Sequence, residues 1–350
     1  MGDQQPHMKN KRYSIKDIAS ALNVSITTVS FVLNGKAQEK RISEPVTQKI
    51  LEYAKKINFT PNQLARGLRT GKSKIIVFMV EDISNNYFFS RIARIIEDLA
   101  NEEGYKVIFC SNDNDDQKSI EAINLFTNGQ IDGYIIIPSA GIKETLEGMI
   151  AQNTPLVLFD RYFKDLNSNY VIIDNEEAVY KGVSHLVENR YRDIGFVTVD
   201  LKQSQMKDRL RGYEKAVSDY GLKPYILQLP YTERFSEKGN KILIDFIEEN
   251  QGMDAMFFST NYLTIKGLGI FKENYPSLIK KMGLVSFDDT ELFKIYSPSI
   301  TAIAQPLEEI AYALMEIIMD QLKKTKKNTT TQKVILKTKI HKRESTMPKS

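Results

Sequence analysis

The chain of 350 residues is poor in the side chains from which disulfides and metal sites are built, with one cysteine, three histidines and no tryptophan. The single cysteine, Cys110, excludes an intramolecular disulfide and a cysteine-rich zinc site, and its apolar neighbours predict that it is buried. No spacing typical of a Ser-His-Asp triad, a metal-ligand set or a phosphate-binding Walker loop is present. We therefore expect no metal, no cofactor and no enzymatic activity.

The chain also lacks long apolar runs, since none approaches the roughly 20 residues that a membrane-spanning helix needs. Residues 1–12 are polar and basic, without the apolar segment of a secretory signal. These absences predict a protein that stays in the cytoplasm and has no membrane partner. The alternative of a secreted binding protein requires a signal sequence in place of this basic segment.

What the chain does have is an uneven distribution of charge. Residues 1–72 hold 13 basic and 5 acidic side chains, whereas the remainder holds 35 basic and 39 acidic ones. Positive charge confined to the first fifth of a chain predicts a polyanionic partner for that segment alone. Because 350 residues exceed what one hydrophobic core supports, we expect this segment to fold separately from a larger body.

Three short helices are predicted in the basic segment: Ser14 precedes the first, Ser25 can cap the second, and Ser43, Glu44 and Pro45 open the third. On the second helix, residues 26–33, the apolar side chains share one side, which leaves Thr27 and Phe31 on the other. Two short helices about a tight turn, braced by a third, are the helix-turn-helix geometry. The second helix of that geometry fits the major groove of DNA.

Three stretches of this segment carry a family signature in their order and spacing: Ile15-Lys16-Asp17-Ile18-Ala19, Val24-Ser25-Ile26-Thr27-Thr28-Val29-Ser30 and Val32-Leu33-Asn34-Gly35. They closely resemble the operator-binding headpiece of the LacI/GalR (lactose-repressor) family of transcriptional regulators. The resemblance implies that three side chains face the base edges of double-stranded operator DNA: Ile26, Thr27 and Phe31. It implies phosphate contacts from four others: Ser25, Thr28, Ser30 and Asn34.

Phe31 departs from the family pattern, in which a hydrogen-bonding Arg or His is common at this position. Phenylalanine cannot read guanine, although it can pack on the methyl group of thymine. The alternative is that Phe31 is a core aromatic of the small domain.

Residues 61–72 follow, with Leu64 and Leu68 at helical spacing but only about two turns of length, so that a helix here is marginal by itself. The segment resembles the hinge helix of the same family, which orders on operator DNA and drives a leucine into the minor groove. The resemblance implies that Leu68 is this wedge, with Ala65 and Arg69 as its minor-groove and phosphate neighbours. The alternative is a flexible linker between domains.

From residue 73 onward, apolar strand-like runs alternate with amphipathic segments of helix length. This alternation predicts parallel sheets covered by helices on both faces, and it continues for too many residues to form one sheet. We therefore expect an α/β core of two doubly wound lobes. Its strands are predicted at residues 75–80, 107–110, 134–137, 156–159, 171–173, 194–199, 256–258, 284–287 and 334–340.

In such sheets ligands bind beyond the carboxyl ends of the strands. The polar residues that this sequence places there are Asp82 to Phe89, Asp160-Arg161, Asp174-Asn175, Gln203 to Arg209, Asn261 and Asp288-Asp289. Each has a plainer interpretation, because Asp, Asn and Ser at strand ends commonly cap the next helix.

Short motifs of the body also match the family in order, among them Phe159-Asp160-Arg161, Arg209-Leu210-Arg211-Gly212-Tyr213 and Ser286-Phe287-Asp288-Asp289. The resemblance covers residues 13–346 and implies a two-lobed core similar to type I periplasmic binding proteins. It gives a helix-turn-helix headpiece at 13–60, a hinge at 61–72 and an effector-binding core at 73–346. The first lobe is expected to hold residues 73–173 and 307–328, and the second 174–306 and 329–346.

Carried over by position, Arg209 and Asp288 are implied to grip polar groups of a small-molecule effector between the lobes. Hydrogen bonds to the effector are implied from four more side chains: Gln205, Asn261, Asp160 and Gln305. Stacking on the effector's ring is implied for Phe88 and Phe89. This set suits a polyol, because carboxylates accept from hydroxyls and a guanidinium donates to them. A sugar or sugar phosphate is expected first, with purines or another metabolite as alternatives. Tyr262, where an aspartate is usual, leaves the effector open.

The sequence thus predicts a DNA-binding transcriptional regulator, by default a repressor of carbohydrate-utilisation genes, controlled allosterically by its effector. The family also includes corepressor-dependent members and activators, so the sign of the response stays open. No leucine heptad follows Arg343, and a homodimer is therefore expected, which suits two half-sites on DNA.

Overall fold

The structure is a computed structural model that describes residues 13–59, 72–84, 87–323 and 330–348. The chain divides into two compact units, with the division between Ser73 and Lys74. In the described part of the chain, no single helix is long and apolar enough to cross a bilayer. The helices at 15–22 and 26–33 reach that length and hydropathy only together, and they are bent by 114° at the break between them.

The first unit contains the three helices that the sequence predicts: α1 (Ile15–Leu22), α2 (Ile26–Leu33) and α3 (Glu44–Lys56). A capping box begins α1, because the backbone N–H of Ser14 donates to Asp17 Oδ2 at 2.7 Å and the Ser14 hydroxyl accepts from the Asp17 N–H at 3.3 Å. Asn23, left-handed at φ 54°, ends α1 and turns the chain toward α2. The centre of the core takes one fully buried residue from each helix: Ile18, Val29 and Ile50.

The second unit is built on two six-stranded sheets, as predicted. In the first sheet the strands lie side by side in the order β11 (Lys333–Leu336), β5 (Tyr170–Ile173), β4 (Leu156–Phe159), β3 (Gly133–Ile136), β1 (Ile75–Val80) and β2 (Lys106–Ser111). Every pairing in this sheet is parallel. Its helices are α4 (Tyr87–Glu102), α5 (Asp116–Asn128), α6 (Lys143–Ala151) and α12 (Leu307–Lys323).

The second sheet has the order β12 (Lys339–His341), β10 (Thr301–Ala304), β9 (Gly283–Phe287), β8 (Ala255–Phe258), β6 (Ile194–Asp200) and β7 (Tyr225–Pro230). Its pairings are parallel except that β12 runs antiparallel to β10. Its α-helices are α7 (Asn175–Glu188), α8 (Ser204–Asp219), α9 (Glu237–Glu249), α10 (Asn261–Asn274) and α11 (Glu291–Ile295). Single 3-10 turns cover Tyr231–Glu233 and Glu344–Thr346.

Burial explains which strands the sequence predicts and which it misses. All residues of β3, β4, β8 and β9 are buried, so these strands are continuous apolar runs. Two strands, β7 and β10, were not predicted. An edge position leaves most of β7 only partly buried, and β10, with the sequence Thr-Ala-Ile-Ala, has a single large apolar side chain.

The last predicted strand, residues 334–340, is two strands in the structure. Its first half, β11, pairs with β5 in the first sheet, and its second half, β12, pairs with β10 in the second. The assignment of 329–346 to the second lobe is therefore wrong for 333–336, because the chain crosses between lobes at Lys337 and Thr338. Cys110 also differs from its prediction, since it lies on the edge strand β2 and is only partly buried.

Candidate DNA-contacting helix and effector cleft

The exposed side of α2 carries most of the residues predicted to contact DNA. Ser25 caps the helix, because its hydroxyl accepts from the Thr28 N–H at 2.9 Å and lies 2.8 Å from Thr28 Oγ1. Thr27 is exposed, and Ile26 keeps 44% of its surface accessible. Neither side chain belongs to the headpiece core, so both are accessible to another molecule.

Phe31 is partly exposed and lies outside the core cluster formed by the described headpiece residues. Its ring centroid is 5.6 Å from Lys40 Nζ, so a positive charge stands beside the aromatic face. Ser30 differs from the other predicted contacts, since only 4% of it is accessible and Asn34 Nδ2 donates to its carbonyl at 2.6 Å. The predicted hinge contacts, Ala65, Leu68 and Arg69, lie outside the described residues.

In the second unit, a cleft opens at the carboxyl ends of the strands of both sheets. Its lining comes from the ends of β1, β4, β6, β8, β9 and β10, from the start of α4 and from the first turns of α8 and α10. The lining residues are Glu81, Phe88, Phe89, Asp160, Arg161, Leu201, Gln205, Met206, Arg209, Thr260, Tyr262, Asp288 and Gln305.

Arg209 is held rigidly on α8. Its Nε donates to Asn175 Oδ1 at 2.8 Å, its Nη1 donates to the Ser259 carbonyl at 2.7 Å, and its guanidinium carbon lies 3.6 Å from the centroid of the Phe287 ring. Gly212, one turn further along, lets α8 approach α7 closely, because a Cβ there would lie 2.3 Å from the Glu176 carbonyl oxygen. The glycine in the Arg-Leu-Arg-Gly-Tyr motif therefore positions the arginine.

Two aspartates end strands of different sheets in the same way. Asp160 follows β4 with φ 65° and Asp288 follows β9 with φ 69°, left-handed conformations that concentrate at functional sites. Burial raises the pKa of Asp160, although the charges of Arg161 and Arg209 act to lower it. Burial likewise raises the pKa of Asp288, although the charge of Arg209 and a hydrogen bond of 2.6 Å from Gln305 Nε2 act to lower it.

A buried ionic network lies beside Asp160. The Arg161 guanidinium pairs with Glu81 and with Asp160, and it also donates to Asn114 Oδ1. The phenol of Tyr231, which belongs to the second lobe, donates to Glu81. Glu81 thereby joins an arginine of its own lobe to a tyrosine of the other.

The cleft brings together seven of the eight residues predicted to bind the effector: Phe88, Phe89, Asp160, Gln205, Arg209, Asp288 and Gln305. Asn261 is not among the lining residues, because it is the first residue of α10, where it is 4% exposed, and its neighbours Thr260 and Tyr262 face the cleft instead. Glu81 was not predicted to line the cleft, although it directly precedes the polar run that begins at Asp82. Arg161 was predicted to lie at the end of a strand, but no role was predicted for it.

Three side-chain oxygens in or beside the cleft are buried without a hydrogen-bond partner among the described residues: Gln203 Oε1, Gln205 Oε1 and Asn261 Oδ1. Such orphaned acceptors are rare in folded proteins and point to a missing donor. The space left between the lining side chains is about 40 Å³. Since one water needs roughly 10–15 Å³, the cleft has room for only a few waters, and a larger ligand must move side chains or lobes.

Two family models match this chain, one within each of its two units. Residues 14–62 match the model for bacterial regulatory proteins of the LacI family, and residues 183–346 match the model for periplasmic binding protein-like domains. The HTH-type transcriptional regulator RegA of Clostridium saccharobutylicum is 29% identical over 95% of this chain and 99% of its own length. Catabolite control protein A of Priestia megaterium is 27% identical over 89% of this chain and 93% of its own.

Solved structures show the same fold. A lac repressor dimer bound to operator and the anti-inducer ONPF matches with a TM-score of 0.76 and 20% identity, over 96% of this chain and 100% of that one. A LacI family regulator from Enterococcus faecium with bound ribose matches with a TM-score of 0.68 and 22% identity, over 79% of this chain and 100% of that one. The chain therefore carries the DNA-binding headpiece domain of the LacI family followed by a periplasmic binding protein-like domain, and its relatives are transcriptional regulators of that family.

Proposed function

We propose that this regulator binds operator DNA through the exposed side of α2 and that a sugar-class effector in the cleft sets its affinity for that DNA. The observation that carries the proposal is the convergence of Arg209, Asp160 and Asp288 on one cleft, beside two phenylalanines. A fixed guanidinium donor, carboxyl acceptors and aromatic faces together match the donors, acceptors and C–H surface of a polyol.

Similar structures support both parts of the proposal, and the charge of the headpiece supports DNA binding. The lac repressor structure contains operator DNA. Two LacI regulators of similar fold contain a sugar, which is ribose in one and D-xylulofuranose in the other. Phosphate contacts require a basic surface, which the surplus of lysine and arginine in residues 1–72 provides. Linkage between the two sites requires only that the effector bind one lobe arrangement better than the other.

To test the proposal, an operator is first selected from random duplexes. The affinity of the protein for this operator is then measured at one fixed salt concentration, with and without individual sugars. At least one sugar should change operator affinity. Purified protein that protects no sequence in a footprint, or whose operator affinity no sugar changes, contradicts the proposal.

Arg209→Gln is the matched variant for the effector half. We expect this variant to retain operator binding. Its affinity for the sugar that changes operator binding should fall about ten- to a hundredfold, because a charge-assisted hydrogen bond contributes roughly 1.5–3 kcal/mol. Arg211→Gln is the control, since Arg211 is on the same helix but is exposed and pairs with Glu176 and Asp208. Equal loss of sugar binding in both variants would contradict a specific role for Arg209.

A further inference from the structure

Five charged side chains line the cleft, and their balance is acidic. Glu81, Asp160 and Asp288 oppose Arg161 and Arg209, which leaves one negative charge in excess when all five are ionised. Tyr262, the remaining titratable group in the lining, is neutral because burial raises its pKa. Arg234 lies outside the lining, where its guanidinium stacks 3.7 Å from the centroid of the Tyr231 ring.

The two arginines of the cleft are already engaged by other groups. Arg161 is 3% exposed, and two carboxylates and Asn114 hold it, so its charge is compensated before any ligand arrives. Arg209 is also 3% exposed, and two of its nitrogens donate to the neutral oxygens of Asn175 and Ser259. Its charge is opposed through space by Asp160 and Asp288, since it acts to lower the pKa of both.

We infer that the cleft accepts an uncharged polyhydroxy effector and rejects the phosphate ester of the same compound, with Glu81 as the residue that sets the exclusion. The inference rests on the proposed function and narrows its class of ligand. A hydroxyl donates as well as accepts, so three carboxyl groups suit it, whereas an ionised phosphate only accepts and repels all three. Repulsion between like charges is stronger in a narrow cleft that has room for only a few waters than in bulk water.

Glu81 has the decisive position for two reasons. It neutralises Arg161, the cation that would otherwise face an entering phosphate, and it accepts from Tyr231 of the opposite lobe. Asp160 and Asp288 are only 7% and 6% exposed, and both line the same cleft. A phosphate in the cleft is therefore placed beside two further carboxyl groups.

The inference is tested first on the wild-type protein by calorimetry and thermal shift. The probes are ribose, fructose, glucose and sucrose, each paired with its terminal phosphate ester. Every sugar that binds should bind at least about tenfold more tightly than its ester, the ratio that corresponds to roughly 1.4 kcal/mol. A phosphate ester that binds more tightly than its parent overturns this inference and leaves the proposed function standing, whereas a panel without any binding counts against both.

Glu81→Gln then tests the assigned residue. The amide can still accept from Tyr231, but it no longer neutralises Arg161, so the preference for parent over ester should fall by at least about tenfold. Glu316→Gln, an exposed site on α12, removes the same charge and should leave that preference unchanged. If Glu81→Gln binds the parent sugar with an unaltered preference over the ester, the assignment to Glu81 is wrong.

Discussion

At position 31 an aromatic ring stands on the exposed side of α2, beside Lys40 rather than in the headpiece core. A residue in this place contributes little to packing, and its value to the molecule lies in what approaches it from outside. The sequence predicts both possibilities for Phe31, a base contact and a core aromatic. Only the position of the ring relative to the core distinguishes them.

Phe31→Arg is therefore expected to change operator preference toward sites with guanine at the contacted position. A bidentate arginine contributes about 1–3 kcal/mol of discrimination between bases. The free energy of unfolding should change by less than about 1 kcal/mol, since the ring is not part of the core. Binding-site selection with both proteins gives the answer.

Leu51→Arg is the control for added positive charge, because Leu51 is an exposed apolar residue on α3. It should strengthen binding to all duplexes alike without altering the consensus. An identical consensus for wild type and Phe31→Arg refutes the predicted role of Phe31.

The C-terminal 3-10 turn Glu344–Thr346 is hydrogen-bonded to two strands and one helix of the second lobe. The Ser345 hydroxyl donates to the Leu284 carbonyl at 2.6 Å and accepts from the Thr301 N–H at 2.9 Å, so it fastens the turn to β9 and β10. Thr346 Oγ1 lies 2.8 Å from His185 Nε2 on α7. The role of this segment could not be predicted from sequence, because hydrogen bonds over so long a separation leave no local pattern.

Ser345→Ala should destabilise the second unit by about 1–3 kcal/mol, because it leaves a buried donor and a buried acceptor without their partner. Urea unfolding should show a lower midpoint at an unchanged slope. Ser218→Ala, on the exposed side of α8, is the matched control and should be close to neutral. If the two variants unfold at the same urea concentration, the turn does not fasten the lobe.

On the scale of the whole second unit, the chain passes between the two lobes three times, after β5, after β10 and between β11 and β12. Asp174 ties the first and third crossings together, since its backbone N–H donates to the Leu336 carbonyl at 3.0 Å and its Oδ1 accepts from the Thr338 N–H at 2.9 Å. The three crossings therefore form a narrow hinge about which the two lobes can rotate. Such a hinge suits a two-lobed domain that closes on a ligand.

For the whole molecule we predict a homodimer that recognises two half-sites. Sedimentation should give twice the mass of one chain at the concentrations that saturate the operator. A duplex with a single half-site should bind far more weakly than the full operator, because the second headpiece then contributes no specific contacts. A monomer that saturates the full operator contradicts this prediction.

The two-part organisation, the three helices of the headpiece with the serine caps of the first two, and the fully buried strands were all predictable from sequence, because charge, caps and apolar runs are local properties. The motif resemblance also identified seven residues that line one cleft. The tertiary structure alone decided that Glu81 meets both Arg161 and Tyr231, that Tyr262 rather than Asn261 faces the cleft, and that residues 333–341 divide between two sheets. These relations depend on which distant segments pack together, and nothing in the order of neighbouring residues records that.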